Sequence, residues 1–211
     1  MPFLIRRLNG TKNYNSTITQ INTSTKKYYA IYKPFGMLSQ FSREGDHPTL
    51  ADLDFEFPKD VYPVGRLDAD SEGLLLLTND NFFKTRLLDP KRRHFRTYFV
   101  HIEGAITDEA CAQLAAGVTI SINGKKHQTL PARAVKMEEP HLPERNPPIR
   151  FRQSIPTSWL SLSLHEGKNR QVRRMTAAVG FPTLRLVRWS IDDWEIGNMQ
   201  PGEIKEIRKD G

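Results

Sequence analysis

An uninterrupted apolar run of four leucines occupies residues 74–77, directly after an acidic stretch at residues 65–73. Four residues are too few to cross a bilayer, and an apolar run of this length is typical of a strand buried on both faces. Residues 28–32 and 61–64 have the composition of two further strands. The strands at 61–64 and 74–78 are predicted to bracket the acidic stretch, which then forms a turn.

The rest of the sequence contains further strand and helix patterns that do not alternate regularly. Strands are predicted over residues 97–103, 130–137, 158–164, 184–189 and 203–207. Helices are predicted from residue 79 or 80 to 88, around residue 111, and from 170 to 179. Because strands outnumber helices, we expect an α+β fold: a mixed, largely antiparallel sheet with helices packed on it. An irregular excursion with five prolines at residues 138–156 interrupts the pattern, and the sequence does not indicate its role.

The chain is basic, with 31 basic and 24 acidic residues and a net charge of +7, which favours a polyanionic partner. Residues 1–27 hold five of the basic residues and no acidic residue, so the basic excess lies mostly there. This segment is rich in Asn, Thr and Ser, and we expect a disordered basic tail that lies along RNA phosphates. Residues 28–211 are expected to form the folded domain, built of two subdomains.

A second basic cluster lies inside the predicted folded domain. It contains no acidic residue and consists of Lys168, Arg170, Arg173, Arg174, Arg185 and Arg188. A solvated helix face is the simplest alternative, but such faces usually mix charges of both signs. The cluster therefore favours a site for an anionic ligand.

Other patterns exclude several classes of protein. The single cysteine, Cys111, has helical spacing with apolar neighbours, which indicates a packed core thiol rather than a nucleophile. The sequence has no Cys-x-x-Cys, Walker or dinucleotide motif, and its six histidines are scattered, so we expect neither a metal nor a nucleotide cofactor. No signal peptide or membrane segment is apparent, which predicts a cytoplasmic protein without a membrane partner.

Three carboxylates, those of Asp68, Asp70 and Glu72, fall within five residues just before the leucine run. Burying them without partners would be costly, and a solvated acidic turn is the simplest alternative. Their spacing matches the start of a calcium loop, but the twelfth position is Asn79, which cannot supply the bidentate carboxylate. A metal-dependent nuclease that uses Asp68 and Asp70 remains an alternative function at this stage.

Three segments in order carry the candidate chemistry: the Gly-Arg-Leu-Asp turn at residues 65–68, the aromatic strand Arg-Thr-Tyr-Phe-Val at 96–100, and the basic stretch at 166–175. Together with Lys-Pro-Phe-Gly at 33–36, they resemble the motifs of the Rsu-like branch of the RNA pseudouridine synthases. The resemblance covers residues 28–208. Members of this branch commonly carry an amino-terminal S4-type RNA-binding domain, for which the 27 residues of the tail are too few.

The resemblance implies roles for individual residues. Asp68 matches the catalytic aspartate, Tyr98 the tyrosine that stacks on the target base, and Arg173 the basic partner of the aspartate. Arg66 matches the arginine that takes the place of the flipped base in the stack, and the other basic residues implied to bind RNA are Lys168, Arg170 and Arg174. Taken singly, Arg66 and Arg173 could be solvated surface residues and Tyr98 a core residue.

The fold implied by the resemblance is a sheet split by a central cleft with Asp68 at its floor. The implied function is the isomerisation of a specific uridine to pseudouridine in ribosomal RNA, expected to be 23S RNA, with base flipping and no cofactor. We expect the enzyme to act as a monomer. A ribosome assembly factor that binds RNA on the same basic surface without catalysis is the alternative function, and an intact Asp68, Tyr98 and Arg173 favour the enzyme.

Overall fold

The computed structural model describes residues 25–150 and 154–209 of the 211-residue chain. Eleven strands are present in this part of the chain: β1 (Tyr28–Lys33), β2 (Tyr62–Pro63), β3 (Glu72–Thr78), β4 (Arg96–Glu103), β5 (Thr119–Ile122), β6 (Lys125–Gln128), β7 (Arg133–Met137), β8 (Thr157–Leu164), β9 (Thr183–Ile191), β10 (Trp194–Glu195) and β11 (Ile204–Glu206). The three α-helices are α1 (Asn81–Leu88), α2 (Asp108–Ala116) and α3 (Gln171–Ala178). Short 3₁₀ helices occupy Leu50–Asp52 and Pro90–Arg92.

Nine of these strands form one sheet, whose main path runs β11-β1-β3-β9-β4-β8-β7. The pair β3 and β9 is parallel, and every other pair among the described strands is antiparallel. The predicted α+β fold with a mixed, largely antiparallel sheet is therefore confirmed. The parallel β3–β9 pair joins two halves of the sheet, one around β1 and β3 and the other around β4 and β8.

The leucine strand β3 is the centre of the first half. All seven of its residues are buried, as the apolar run predicts. Even-numbered leucines pack with α1 and with Val187, whereas odd-numbered leucines pack with Leu50 and Val61 on the opposite face. In the second half, α2 and α3 cover β4 and β8 with one apolar cluster that includes Cys111, so the cysteine is a packed core thiol as expected. Burial also raises the pKa of that thiol.

Two predictions about the acidic stretch need correction. The spacing suggested that Glu72 belongs to the turn and that Gly73 closes it, but both residues lie in β3, opposite Val187 and Arg188 of β9. Gly73 has a φ of +102°, and a Cβ atom at this position would lie 2.3 Å from the carbonyl oxygen of Arg188. The glycine is required for the close approach of β3 and β9 rather than for the turn.

The β5–β6 hairpin, which forms a separate two-stranded sheet, was not predicted from the sequence. Its turn is Asn123-Gly124, and both residues have positive φ values, 48° and 76°. An Asn-Gly pair between short strands is the strongest short-range signal of a two-residue hairpin, so the signal was present in the sequence. The alternation in the flanking strands is weak because only Ile120 is buried among their side chains.

The described part of the proline-rich excursion packs back on the sheet. Pro143 accepts a hydrogen bond of 2.9 Å from the guanidinium of Arg185, and Arg145 lies over the Phe35 ring at 4.3 Å. Leu142 contacts the apolar cluster of the first half. Residues 138–150 thus cover the face of the sheet that carries Arg185.

Residues 1–24 of the predicted basic tail lie outside the described residues. Lys27, at the end of that segment, is paired with Glu206 of β11 at 2.7 Å, and its backbone N–H donates to Asn79. None of the helices in the described ranges is long and apolar enough to cross a membrane.

Candidate active site

A cleft of about 540 Å³ opens between the two halves of the sheet. The first half contributes the loop from Val64 to Ser71, and the second half contributes β4 and the segment that leads into α3. Asp68 and Tyr98 both line this cleft. The structure therefore brings together the residues that the sequence placed 30 positions apart.

The loop that carries Asp68 is fixed by hydrogen bonds on both sides of the aspartate. The backbone N–H of Leu67 donates to the Ser39 hydroxyl, and that hydroxyl donates back to the Leu67 carbonyl, at 3.0 and 2.9 Å. The N–H of Ser71 donates to the Asp68 carbonyl at 3.1 Å. A loop held in this way keeps the carboxylate in one position, as catalysis requires of a reacting group.

Lys33 supports the same loop through hydrogen bonds to backbone carbonyl groups. Its side chain is fully buried, and its ammonium donates to the carbonyl oxygens of Pro34, Met37 and Ala69 at 2.8, 2.7 and 3.4 Å. Ala69 also accepts from the N–H of Gly36 at 2.7 Å. Burial lowers the pKa of Lys33 to about 7, although nearby carboxylates act in the opposite direction. In the sequence, nothing distinguishes this lysine beyond its place in the Lys-Pro-Phe-Gly motif.

Arginines of the α3 segment face the acidic loop. Arg170 donates to both carboxylate oxygens of Asp70, at 3.0 and 2.7 Å, and its Nη1 lies 3.6 Å from Oδ2 of Asp68. Arg173 lies 3.4 Å from the Asp70 carboxylate and donates to the Asp70 carbonyl at 2.6 Å. Arg170 is thus the ion-pair partner of Asp68, and Arg173 holds Asp70.

This pairing differs from the expected direct pairing of Arg173 with Asp68. The two arginines occupy different positions relative to α3. Arg170 directly precedes the helix, with a φ of 50°, and its side chain contacts the acidic loop. Arg173 lies one turn further along the chain and is largely buried. Arg173 still contributes positive potential at Asp68 through space.

The two arginines keep Asp70 ionised. Partial burial acts to raise the pKa of Asp70, but the Arg170 hydrogen bond and the charges of Arg173 and Arg170 outweigh it, so the pKa lies below its usual value of 3.8. Because the folded state depresses this pKa, the stabilisation is present above the unfolded value and is lost as the pH falls through the folded one.

Tyr98 lies on β4, where its ring lines the cleft. Its hydroxyl interacts electrostatically with the guanidinium of Arg188, a buried residue of β9 that donates to the Leu74 carbonyl at 2.7 Å. Burial lowers the pKa of Arg188, and the contact with Tyr98 opposes that effect. The sequence had counted Arg188 only as one member of a basic cluster, since nothing in the pattern showed that it is buried.

Glu72 and Arg185 form a buried ion pair between β3 and β9. Two hydrogen bonds of 2.9 and 2.8 Å join the guanidinium to the carboxylate. Glu72, which the sequence grouped with the other two acids of the loop, therefore pairs with a different arginine from the one that contacts Asp68 and Asp70. The pair fixes the start of β3 and hence the end of the loop that carries Asp68.

The remaining residues predicted to bind RNA lie at or near the mouth of the cleft. Arg66, Lys168 and Arg170 line it, and Arg66 donates to Gln40 at 3.1 Å. Arg174 instead reaches the β5–β6 hairpin, where it donates to the Ser121 carbonyl. The described residues contain no group of three or more histidine, cysteine or acidic side chains placed to hold a metal ion.

Comparison with known proteins gives consistent matches. A family model described as RNA pseudouridylate synthase matches residues 27–178. A protein of Vibrio parahaemolyticus named ribosomal large subunit pseudouridine synthase E is 46% identical over 190 residues, which cover 90% of this chain and 77% of the relative. A protein of the same name from Xanthomonas axonopodis pv. citri is 47% identical over 170 residues, covering 80% and 87%. Ribosomal large subunit pseudouridine synthase B of Bacillus subtilis is 31% identical over 180 residues, covering 85% and 67%.

Solved structures show the same fold. A crystal structure described as a pseudouridylate synthase superposes with a TM-score of 0.69 at 27% identity, and covers 88% of this chain and 71% of its own. Human RNA pseudouridylate synthase domain containing 1 superposes with a TM-score of 0.55 at 16% identity, covering 86% and 78%, and this second likeness concerns the fold alone.

Proposed function

The chain belongs to the RNA pseudouridylate synthase family, and from that membership we propose that it isomerises a specific uridine of large-subunit 23S ribosomal RNA to pseudouridine. The names of the relatives with 46–47% identity support the large ribosomal subunit as the source of the substrate. The observation that carries the proposal is the position of Asp68 in a cleft, beside Tyr98 and in contact with Arg170.

The chemistry breaks the bond between N1 of uracil and the ribose and forms a bond from C5 to the same ribose carbon, after which a proton leaves C5. Asp68 supplies the carboxylate for this reaction as nucleophile or base. Arg170 and Arg173 place positive charge close to this carboxylate. The reaction is an isomerisation without net redox change, and we propose that it proceeds without a cofactor.

Tyr98 and Arg66 are proposed to act when the target base leaves the RNA base stack: Tyr98 contacts the base, and Arg66 fills the vacated place. The Tyr98 ring lies in the cleft and offers a face for the flipped uracil, and its hydroxyl interacts electrostatically with Arg188. Arg66 is exposed at the cleft and long enough to enter the vacated place in the RNA stack. Lys168 and Arg170 are placed to contact phosphates at the same opening.

The remaining proposals concern the protein as a whole. The enzyme is proposed to act as a monomer, because Asp68, Tyr98 and Arg170 of a single chain already meet in one cleft. A substrate in ribosomal RNA supports a cytoplasmic location. Residues 1–27 are proposed to act as a basic arm along RNA phosphates, because they carry five positive charges and no negative one.

The test is to map pseudouridines in 23S RNA from cells that lack the protein. We expect one uridine to lose its modification, wild-type protein to restore it, and the Asp68→Asn variant, expressed at the same level, to leave it unmodified. Restoration by Asp68→Asn would refute the catalytic role of that residue. An unchanged pseudouridine map in the deletion strain would refute the proposed function.

A further inference from the structure

A second basic surface lies beside the cleft. We define the hairpin surface as Lys125 and Lys126 of β6 together with Arg174 of α3. The sequence between Glu109 and Glu138 contains no acidic residue and four basic ones. The β5–β6 hairpin therefore projects from a stretch of chain with only positive side-chain charge.

The four basic residues of this stretch are not equivalent. Lys136 is paired with Asp108 at 2.9 Å, and Arg133 lies over the Phe95 ring at 4.7 Å. Lys125 and Lys126 are exposed, and neither forms an ion pair with an acidic side chain among the described residues. Their charges are available to a ligand.

The hairpin surface is continuous with the mouth of the cleft. Arg174 donates to the Ser121 carbonyl, and Ser121 lies opposite Lys126 in the hairpin register. The same guanidinium donates to the carbonyl and the side-chain oxygen of Asn169, at 3.1 and 3.2 Å. Asn169 stands between Lys168 and Arg170, which line the cleft. A line of positive charge thus runs from the cleft along α3 to the hairpin.

Glu166 holds the hairpin in this position. One of its carboxylate oxygens contacts His127 at 2.8 Å, and the other accepts from the Leu130 N–H and the Gln171 amide, at 2.9 and 2.7 Å. The Glu166 side chain is only 9% exposed, so its carboxylate is directed into these contacts and not toward a ligand. The hairpin is therefore fixed relative to α3 before any ligand binds, which lowers the entropic cost of binding there.

We propose that the hairpin surface binds the phosphate backbone of the RNA strand that flanks the target uridine. This proposal rests on the proposed function, because it takes the occupant of the cleft to be RNA. The exposed lysines and the arginine of the hairpin surface suit phosphate groups as ligands. Contacts with phosphates give affinity and fix the register of the RNA without recognising its sequence. The surface positions the RNA and takes no part in bond breaking.

The test compares a double variant, Lys125→Gln with Lys126→Gln, with a control that loses the same charge elsewhere. The control is Lys59→Gln with Lys205→Gln, since both lysines are exposed and belong to the half of the sheet that contains β1 and β11. The substrate is the 23S RNA fragment that wild-type protein modifies. Dissociation constants are measured at several salt concentrations, and single-turnover rates are measured at saturating protein.

We expect the hairpin variant to bind more weakly, with a salt slope that is shallower by about 1.5, which is the loss of two phosphate contacts. The rate at saturation should equal that of wild type, and the control should keep the wild-type slope. Reversal of the charges, with Lys125→Glu and Lys126→Glu, should weaken binding further. Thermal midpoints of all variants should match, because the changed side chains are exposed.

Two results would overturn the proposal: a hairpin variant with the affinity and salt slope of the control, or one whose affinity is unchanged while its saturated rate falls. Either result leaves the proposed function standing if the wild-type protein still forms pseudouridine. If wild-type protein forms none on any ribosomal RNA fragment, the proposed function fails instead, and the binding data alone decide whether the hairpin surface contacts RNA.

Discussion

Lys33 and the three carbonyl groups around it show how a single buried residue supports the catalytic loop. Replacement by methionine keeps an apolar chain of similar length but removes the ammonium donor to Pro34, Met37 and Ala69, of which Ala69 keeps a second donor, the N–H of Gly36. Each carbonyl left buried and unpaired costs about 1–3 kcal/mol, offset in part because no ammonium is buried. The Ala69 carbonyl lies between Asp68 and Asp70, so the loss of one of its two hydrogen bonds should also loosen the position of both carboxylates.

We predict that Lys33→Met changes the pH dependence of stability. In wild type the folded pKa of about 7 lies below the unfolded value of 10.5, so the unfolded state binds more protons between these values. Stability should therefore rise with pH over this window, by up to about 1.4 kcal/mol per pH unit from this residue. Urea unfolding at pH 7.5 and 9 measures the rise, which Lys33→Met should lose. An identical rise in both proteins would show that Lys33 is not the titrating group.

Arg170 and Arg173 are expected to act differently on the reaction. Arg170→Leu removes the positive charge 3.6 Å from the Asp68 carboxylate, so the single-turnover rate should fall while the thermal midpoint stays close to that of wild type. Arg173→Leu removes the donor to the Asp70 carbonyl and should lower both the rate and the thermal midpoint, because this arginine is largely buried. Lysine at either position should keep part of the rate, since it supplies the charge without the planar fork. A loss of thermal midpoint in Arg170→Leu as large as in Arg173→Leu would contradict this distinction.

At the scale of the elements, the contact between β3 and β9 positions the site. Gly73→Ala would place a methyl group 2.3 Å from the Arg188 carbonyl oxygen. We predict a loss of about 2–4 kcal/mol of unfolding free energy, from the clash and the positive φ together, with a loss of activity because Arg188 moves. Gly45→Ala is the control: it also has a positive φ but nothing within 4 Å. Equal losses in both variants would contradict a requirement for close strand contact.

The elements also show what the sequence could predict. For strands with a strong apolar pattern, such as β3 and β8, the predicted ends lie within two residues of the observed ends. The predicted start of α1 agrees with its observed N-cap, Asp80. Local patterns carry this information because burial and capping act within a few residues. The placement of Glu72 in the turn was wrong because the pairing of β3 with β9 is set by contacts more than 100 residues apart in sequence, which no local pattern contains.

The same limit applies to the candidate site. Motif resemblance selected Asp68, Tyr98 and Arg173 as catalytic residues. The structure brings Asp68 and Tyr98 to one cleft, where Arg170, which was expected only to bind RNA, contacts Asp68 in place of Arg173. The burial of Lys33 and Arg188 follows from the assembled sheet, and the sequence shows them only as basic residues. Their roles became visible when the carbonyl groups and the tyrosine hydroxyl around them were in place.

At the scale of the whole molecule, affinity for RNA should come from several separate basic surfaces. Deletion of residues 1–24 removes three positive charges and spares the contact of Lys27 with Glu206. We predict weaker binding of the 23S RNA fragment and a salt slope shallower by up to about 2, if all three charges meet phosphates. Filter binding at four salt concentrations measures both quantities. An unchanged slope would show that this segment does not contact RNA.

The central claim is that this protein, through Asp68 and without a cofactor, converts a uridine of 23S RNA to pseudouridine. The most direct measurement uses purified protein and an RNA fragment with tritium at C5 of its uridines, in excess chelator, with the fold of the RNA checked in the same buffer. Wild-type protein should release tritium and form one pseudouridine per RNA, whereas Asp68→Asn should release none while keeping most of its RNA affinity. Tritium release by Asp68→Asn, or release by wild type only when Mg²⁺ is restored, would contradict the account.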